Sequence, residues 1–424
     1  MRKLGLWVFV CICLNSSAQK LTRVITKDDS WSYIDSAVSL QKEFGCPLTV
    51  VVKTSDSVRK EVSTTTFSYL QKNRVQLSPA FVKKYNFLFS GKDSVNYFEL
   101  DSLLAKASNT KIAKFYSDLL GTKIEVLRLQ ENSEMANQNS ILSFNNFFTL
   151  NENKEMLYLG IGTIPSKGYV LFNPKLSETY QWQFARTIQG YFNVVKQDTL
   201  CPLVIGNYFE IGSHFLYACD SKVCRQLAEI YHTSNDSVAY YVKKYIEQFT
   251  SKKIHVFTGT DTFDLPFYHL DVFMVPIAKG NKVNCFYNSD TLMKSYRIKE
   301  TATVDSIRVN LRKFKTYLVE EKIFDSIWTL PSASAYPSSG YDCYYTYTNL
   351  ILDRKKVLLP KFRMPRISES IETITQFDAF VSLIETEAID IFKAHGFDPK
   401  VVQSIAYASD RDGFLHCNFL PLYK

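Results

Sequence analysis

From about residue 200 onward the sequence repeats one order of strands and helices, and this repeat limits the possible fold more than any other feature. Each unit starts with two short strands rich in aromatic and β-branched residues, continues through a helix and ends on another strand. In the first unit the hairpin falls within Leu203–Tyr217 and the closing strand at Ile254–Thr258. Between them lie apolar residues spaced three and four apart, as on one face of a helix: Val238, Tyr241, Tyr245 and Phe249.

Two further units follow with the same order of elements. The second has strands at Phe267–Ile277 and Lys282–Tyr287 and a helix within about residues 291–320. The third comprises strands at Tyr344–Leu352 and Val357–Lys361, a helix carrying Phe377, Val381, Ile384, Ala388 and Ile391, Gly396 as its end, a strand at Val401–Tyr407 and a final strand at Phe414–Leu420. A repeat of about 70 residues with little residue identity favours a ring of strand–helix modules over a doubly wound sheet.

The N-terminal region, residues 19–130, has a less regular pattern. A helix is predicted at Ser30–Phe44 before a strand at Pro47–Lys53, and a second helix at Asp101–Leu120 before a strand at Lys123–Leu129. This α/β region is either the first module of the ring or an additional subdomain. Residues 131–141 are polar and predicted to form a loop, and residues 131–424 are predicted to be one continuous region.

The first 18 residues have the layout of a secretory signal peptide. Arg2 and Lys3 precede the apolar run Leu4–Leu14, and Ser16-Ser17-Ala18 supplies small residues at the cleavage position. The run is shorter than the roughly 20 residues that a membrane span needs, so no membrane span is expected. The sequence therefore predicts a secreted or periplasmic protein with a cleaved signal peptide.

Charge and cysteine content narrow the possible partners and chemistry. The chain has a net charge of +8 over 424 residues, which is only slightly basic. The densest group of basic residues comprises Arg354, Lys355, Lys356, Lys361, Arg363 and Arg366. This group fits a solvated hairpin turn and loop better than a nucleic-acid-binding surface. Among the nine cysteines, Cys219 and Cys224 are the best candidates for a disulfide, although they could equally remain small buried thiols. No Cys/His spacing predicts a metal site.

Polar residues recur at corresponding places near the start of each unit, on segments that otherwise have the pattern of apolar strands. Asn207 and Tyr208 come first, and Tyr347 and Asn349 occupy the third unit. His269 and Asp271 are two residues apart, so on a strand they would project from the same face. His416 and Cys417 lie in the last strand. A ring would bring these side chains together at its centre.

The ordered motifs resemble those of the pentein superfamily, and most closely its bacterial secreted peptidylarginine deiminase and agmatine deiminase branch. The resemblance covers about residues 140–424 and rests on these stretches: Phe172-Asn173-Pro174, Val204-Ile205-Gly206-Asn207-Tyr208, His269-Leu270-Asp271, Tyr345-Thr346-Tyr347-Thr348-Asn349 and Gly413-Phe414-Leu415-His416-Cys417. It implies a five-module α/β propeller with pseudo-fivefold symmetry. It also implies a guanidino C–N hydrolase that acts on peptidyl-arginine, arginine or an agmatine-like compound.

The resemblance assigns a role to each of these polar residues. The Cys417 thiolate would attack the guanidino carbon, and His269 would protonate the departing ammonia and then activate water. Asp271 would bind the guanidinium, and Asn349 would position Cys417 or the substrate. The remaining substrate-binding residues would be Asn207, Tyr208, Tyr347 and His416. The resemblance implies no metal and no organic cofactor.

Several positions depart from the pattern of this branch. The stretch Ile141–Leu150 contains no acid where the first substrate carboxylate is expected, and Val204 stands where the branch has glutamate. Loss of one buried carboxylate partner costs about 3–5 kcal/mol. A degenerate pentein that binds a ligand or partner without turnover is therefore the alternative hypothesis. Amidinotransfer, in which an amine replaces water, would use the same site.

Simpler interpretations of single residues also stay open. Cys417 could be an inert buried thiol and His269 a core histidine with its hydrogen bonds satisfied. Asn207 and Asn349 could each cap a hairpin turn. The oligomeric state has no signature in the sequence.

Overall fold

The structure is a computed structural model, and it describes the parts of the chain that follow. These are residues 21–27, 40, 43–45, 47–52, 56–91, 94–106, 109–121, 124–128, 147–150, 155–158, 162–164, 169–171, 193–196, 207–248, 250–260, 262–266, 269–279, 282–289, 293–294, 302–335, 343–362, 371–402 and 419–423. The predicted signal peptide, His416 and Cys417 lie outside the described residues.

The N-terminal region alternates strands and helices. Its elements are β1 (Leu21–Lys27), β2 (Leu48–Val52), α1 (Asp56–Asn73), α2 (Pro79–Lys84), β3 (Phe89–Ser90), β4 (Ser94–Val95), α3 (Tyr97–Lys106), α4 (Asn109–Leu120) and β5 (Ile124–Arg128). The strands predicted before and after the helical stretch are confirmed as β2 and β5. The single helix predicted at Asp101–Leu120 is wrong, because two helices, α3 and α4, occupy that stretch.

The short strands that follow belong to two small sheets. They are β6 (Phe147–Leu150), β7 (Glu155–Tyr158), β8 (Gly162–Ile164), β9 (Tyr169–Leu171) and β10 (Asn193–Lys196). Strand β7 pairs antiparallel with β6 and parallel with β10, and β8 pairs antiparallel with β9.

The first predicted unit is present with one helix more than expected. It contains β11 (Tyr208–Ile211), β12 (His214–Cys219), α5 (Ser221–Ile230), α6 (Asn235–Ile246) and β13 (Lys253–Thr258). Asp220 starts α5 as its N-cap, because its carboxylate accepts the backbone N–H of Val223 at 2.7 Å. The apolar positions Val238, Val242 and Tyr245 of α6 are buried against the sheet, as their spacing predicts.

The second and third units and the C-terminal strand complete the described chain. Their elements are β14 (Met274–Lys279), β15 (Lys282–Asn288), β16 (Met293–Lys294), α7 (Ala302–Glu320), β17 (Ser326–Leu330), β18 (Ala333–Ala335), β19 (Cys343–Tyr345), β20 (Ile351–Asp353), β21 (Lys356–Pro360), α8 (Ile371–Ala394), β22 (Asp398–Val402) and β23 (Phe419–Tyr423). Within the described ranges, none of the helices has both the length and the hydropathy that a membrane span requires.

Among the described strands, six sheets combine an antiparallel pair with at least one parallel strand. They have the strand orders β6-β7-β10, β11-β12-β13, β14-β15-β17, β16-β18-β19, β20-β21-β22 and β23-β1-β2-β5. In the last of these, the C-terminal strand β23 pairs antiparallel with the N-terminal strand β1, so that Phe419 lies opposite Thr26.

The long helices pack between neighbouring units. Phe314 of α7 contacts Phe273 of its own unit and Phe257 of β13, with ring centroids 5.4 and 5.0 Å apart. Phe392 of α8 packs in the same way on Phe286 of β15, at 4.4 Å. Each helix therefore shields the sheet of the preceding unit as well as its own from water, which joins successive units through apolar burial.

Candidate active site

Three of the predicted site residues lie immediately before the first strand of their hairpins. Asn207 precedes β11, Asp271 lies three residues before β14, and Asn349 lies two residues before β20. In an antiparallel hairpin, the start of the first strand lies beside the end of the second strand, away from the turn. The three residues therefore lie at corresponding strand ends of three sheets, as the recurring pattern predicts.

Asp271 and Asn349 are in direct contact although they are 78 residues apart in the chain. The amide Nδ2 of Asn349 donates a hydrogen bond of 2.9 Å to Oδ2 of Asp271, and both side chains are buried. The hydroxyl of Thr348 also donates to the backbone carbonyl of Asp271, at 3.1 Å. This buried carboxylate is thus bound by an amide from the neighbouring unit, which fixes its orientation.

The backbone around His269 and Asp271 is a turn, and the prediction of a strand there is wrong. His269 is extended, with φ −127° and ψ 137°, but Leu270–Val272 form a single 3₁₀ turn, and the strand begins only at Met274. The sequence alternates between polar and apolar residues here, which suggested a strand with one buried face. In the turn, however, Asp271 is buried together with Leu270, Val272 and Phe273.

His269 has two acidic neighbours. Burial lowers the pKa of His269, and the negative charges of Asp271 and Asp220 act in the opposite direction. A histidine whose pKa lies below its ordinary value is neutral at neutral pH and can accept a proton from a thiol or from water. The structure therefore brings together His269, Asp271 and Asn349 and adds Asp220, which the sequence analysis did not consider.

Asp220 and Asp264 lie together at the N-terminus of α5. Asp264 accepts the backbone N–H of Ser221 at 2.7 Å and its hydroxyl at 2.6 Å. Burial raises the pKa of the Asp220 carboxyl, and the charge of Asp264 raises it further. The sequence signal for this acid was its position as a polar residue at the end of the second strand of a hairpin, since Asp220 and Asn288 are each the seventh residue after their hairpin turn.

The remaining predicted substrate-binding residues have different surroundings. Asn207 is buried, and its Oδ1 has no hydrogen-bond partner among the described residues. The ring of Tyr208 stacks on Phe215, with centroids 5.7 Å apart. Tyr347 is fully buried beside Phe362, and burial raises the pKa of its hydroxyl. Of the three, Asn207 presents an acceptor that a guanidinium N–H could use.

The predicted nucleophile lies close in sequence to a well-defined strand. Cys417 and His416 are outside the described residues, and β23 begins two residues after Cys417, at Phe419.

Three of the cysteines are free thiols. Cys219, Cys224 and Cys285 are free and buried, so Cys219 and Cys224 do not form the bridge that their spacing suggested. The hydrogen bond with Cys224 and burial raise the pKa of Cys219, which makes it a poor nucleophile. No group of three or more His, Cys, Asp or Glu side chains in the described ranges is arranged to hold a metal ion.

Comparison with known proteins gives structural matches without sequence matches. No protein-family model matches the chain, and no curated protein matches it. The agmatine deiminase of C. jejuni is 12% identical to this chain; the match covers 96% of this chain and 95% of that one, with a TM-score of 0.50.

Two further solved structures cover similar shares of the chain. One, provisionally assigned as a peptidyl-arginine deiminase, is 13% identical over 96% of this chain and 97% of that chain, with a TM-score of 0.48. The other, provisionally assigned as an arginine deiminase of Porphyromonas gingivalis, is 12% identical over 96% of each chain, with a TM-score of 0.48. The likeness to agmatine deiminase confirms the predicted resemblance at the level of the fold, a mixed α/β fold like that of the C. jejuni protein.

Proposed function

We propose that this chain is an exported deiminase-type hydrolase that converts a guanidino group into a ureido group and ammonia through the Cys417 thiolate. The observation that carries the proposal is the buried contact between Asp271 and Asn349 beside His269. A buried carboxylate whose orientation is fixed by an amide from a neighbouring unit is a group that can bind a cationic ligand. A guanidinium is such a ligand, because its planar N–H groups match a carboxylate.

The chemistry divides into two steps that these residues can serve. The Cys417 thiol gives its proton to His269 as its sulfur bonds to the guanidino carbon, and the C–N bond then breaks as His269 passes that proton to the departing ammonia. Water, deprotonated by His269, then attacks the same carbon, and the thiolate departs to leave the ureido product. Asp271 stabilises the positive charge of the substrate, and Asp220 is our candidate for the second acid that the Ile141–Leu150 stretch lacks.

The proposed architecture is a five-module propeller with pseudo-fivefold symmetry. Two observations support it. Four described sheets consist of a hairpin followed by a parallel strand, and a further sheet is closed by the pairing of β23 with β1; in addition, α7 and α8 each pack between successive units. In such a ring, the sheet edges that carry Asn207, Asp271 and Asn349 face a common centre. The segment that carries Cys417 would enter that centre from the sheet closed by β23.

The test is turnover of guanidino compounds by the secreted chain. Purified protein is incubated with agmatine, arginine and a blocked arginyl peptide, and ammonia and ureido product are measured separately. We expect equal amounts of both from at least one substrate, and a loss of about a thousandfold or more in Cys417→Ala. Cys285→Ala removes a buried thiol elsewhere and is expected to keep the activity.

The binding-only alternative makes the opposite prediction for the same protein. A haloacetamidine probe should label Cys417 rapidly in a hydrolase, whereas the buried thiols Cys219, Cys224 and Cys285 act as internal controls. Absence of turnover, together with labelling of Cys417 no faster than that of an exposed thiol, would overturn the proposed hydrolase in favour of a degenerate pentein.

A further inference from the structure

A buried chain of side-chain hydrogen bonds joins the end of β15 to the turn that carries Asp271. Asn288, the last residue of β15, donates from Nδ2 to the carbonyl of Val272 at 3.0 Å and to Oγ1 of Thr346 at 2.9 Å. The hydroxyls of Thr346 and Thr348 are 2.8 Å apart. Thr348 in turn donates to the carbonyl of Asp271. Asn288, Thr346 and Thr348 are each at most 1% exposed.

These bonds hold the Asp271 turn from outside its own segment. Three successive backbone carbonyls accept these hydrogen bonds. The carbonyl of Asp271 accepts from the Thr348 hydroxyl, and the carbonyl of Val272 accepts from the Asn288 side chain. The carbonyl of Phe273 accepts from the backbone N–H of Asn288 at 2.9 Å. A single 3₁₀ turn has only weak internal bonds, so external donors decide its conformation. The direction of the Asp271 carboxylate therefore depends on Asn288, Thr346 and Thr348.

The same place in the other hairpins does not need an amide. The seventh residue after the hairpin turn is Asp220 in the first unit and Phe362 in the third, whereas it is Asn288 in the unit that carries Asp271. Burying an amide and two hydroxyls costs free energy unless each forms its hydrogen bonds. The fold thus accepts an acid or an apolar ring at this position, and the buried amide occurs beside the Asp271 turn.

We infer that Asn288 and Thr346 are positioning residues that aim the Asp271 carboxylate at the substrate and at His269. This inference rests on the proposed function for its reaction. Neither residue contacts the substrate in this proposal. They act on the Asp271 carboxylate through Thr348 and through the backbone of the Asp271 turn.

The test uses Thr346→Val, which is nearly isosteric and removes only the hydroxyl, and Thr346→Ser, which restores it. Asn288→Asp serves as a second variant that keeps the side-chain size and removes the donor. The control is Thr66→Val, because Thr66 is also fully buried and its hydroxyl lies 2.6 Å from that of Tyr116, in the N-terminal region. Each variant is compared for kcat and KM, and its His269 is titrated by NMR.

We expect Thr346→Val and Asn288→Asp to lower kcat/KM by about tenfold or more, since small misplacements of a catalytic group have effects of that order. The titration midpoint of His269 should shift in both, and Thr346→Ser should return both quantities to nearly wild-type values. Thr66→Val should lower the melting temperature and leave both unchanged. A lower melting temperature in all the variants, with unchanged His269 titration, would overturn the inference.

The two proposals fail separately. If the wild-type chain turns over no guanidino compound, the proposed function is lost, but the titration of His269 still reports how Asp271 is oriented. If turnover is present and unaffected by Thr346→Val and Asn288→Asp, the positioning role is lost and the hydrolase proposal stands.

Discussion

Replacing Gly259 by alanine should destabilise the N-terminus of α5, because there is no room for a methyl group. A Cβ at residue 259 would lie 2.3 Å from Oδ1 of Asp264, 2.5 Å from the backbone nitrogen of Ser221 and 2.9 Å from the carbonyl carbon of Asp220. The Asp264 side chain can rotate away, but the two backbone atoms cannot. Rotation would in turn break the bonds from Ser221 to the Asp264 carboxylate.

The magnitude follows from these two contributions. Overpacking a filled site costs about 1–3 kcal/mol, and a hydrogen bond to a charged group contributes about 1.5–3 kcal/mol. Because Asp264 is only partly buried, we take the lower end for its bonds and expect a total loss of about 2–4 kcal/mol. Asp264→Ala, which removes the bonds without the clash, should cost about 2 kcal/mol.

The assay combines urea unfolding with hydrogen exchange of the Ser221–Ile230 segment. Gly259→Ala should speed exchange in that segment, where the amide of Ser221 loses its acceptor. Gly121→Ala is the control: its φ is +65° and nothing lies within 4 Å of an added Cβ, so it carries only the backbone strain of about 1–2 kcal/mol. A loss below about 0.5 kcal/mol in Gly259→Ala, with unchanged exchange, would refute the steric argument.

Three further predictions concern the apolar packing between two units and the charged and titratable groups of the first unit. Phe286→Ala should lower the free energy of unfolding by about 3–5 kcal/mol in urea titrations, because this fully buried ring is removed from the interface between the second and third units. Lys252→Met should cost about 3–5 kcal/mol by the same assay, since it removes the cation 3.2 Å from the nearly buried carboxylate of Glu210; an effect under 1 kcal/mol would contradict this. His214 and His255 are hydrogen-bonded at 2.9 Å, and burial lowers the pKa of both, so the unfolded chain binds more protons below about pH 6.5. Stability measured by thermal melting should therefore fall as the pH drops below that value, by at most about 1.4 kcal/mol per pH unit for each histidine, and stability that rises towards pH 5 would contradict the argument.

Local sequence patterns predicted the order of the units and several of the strands. The single strand predicted at Tyr344–Leu352 is wrong, because residues 346–350 separate β19 from β20. The hairpin of the first unit, its closing strand and β2 and β5 follow from runs of β-branched and aromatic residues, which is a signal within a few positions of each residue. The helix α5 was missed although Asp220 is a typical N-cap, since the apolar spacing of α6 dominated that stretch.

The candidate site depends on contacts that no local pattern contains. The bonds from Thr348 and Asn349 to Asp271 join residues 77 and 78 positions apart, and the bond from Asn288 to Thr346 spans 58. The recurring position of polar residues predicted that Asp271 and Asn349 would meet. It could not predict that Asp271 lies in a turn, because that turn is held by tertiary hydrogen bonds rather than by its own sequence.

The pairing of β23 with β1 has a consequence for the order in which the protein folds. Leu21 and Tyr423 are neighbours in this sheet although about 400 residues separate them, so the pair is among the most non-local contacts that the chain can make. Strands β1, β2 and β5 can assemble while the later units are still being synthesised, whereas β23 can join them only after those units have been made. We therefore expect the sheet that contains β1 to be completed last, because it pairs the first described strand with the last one.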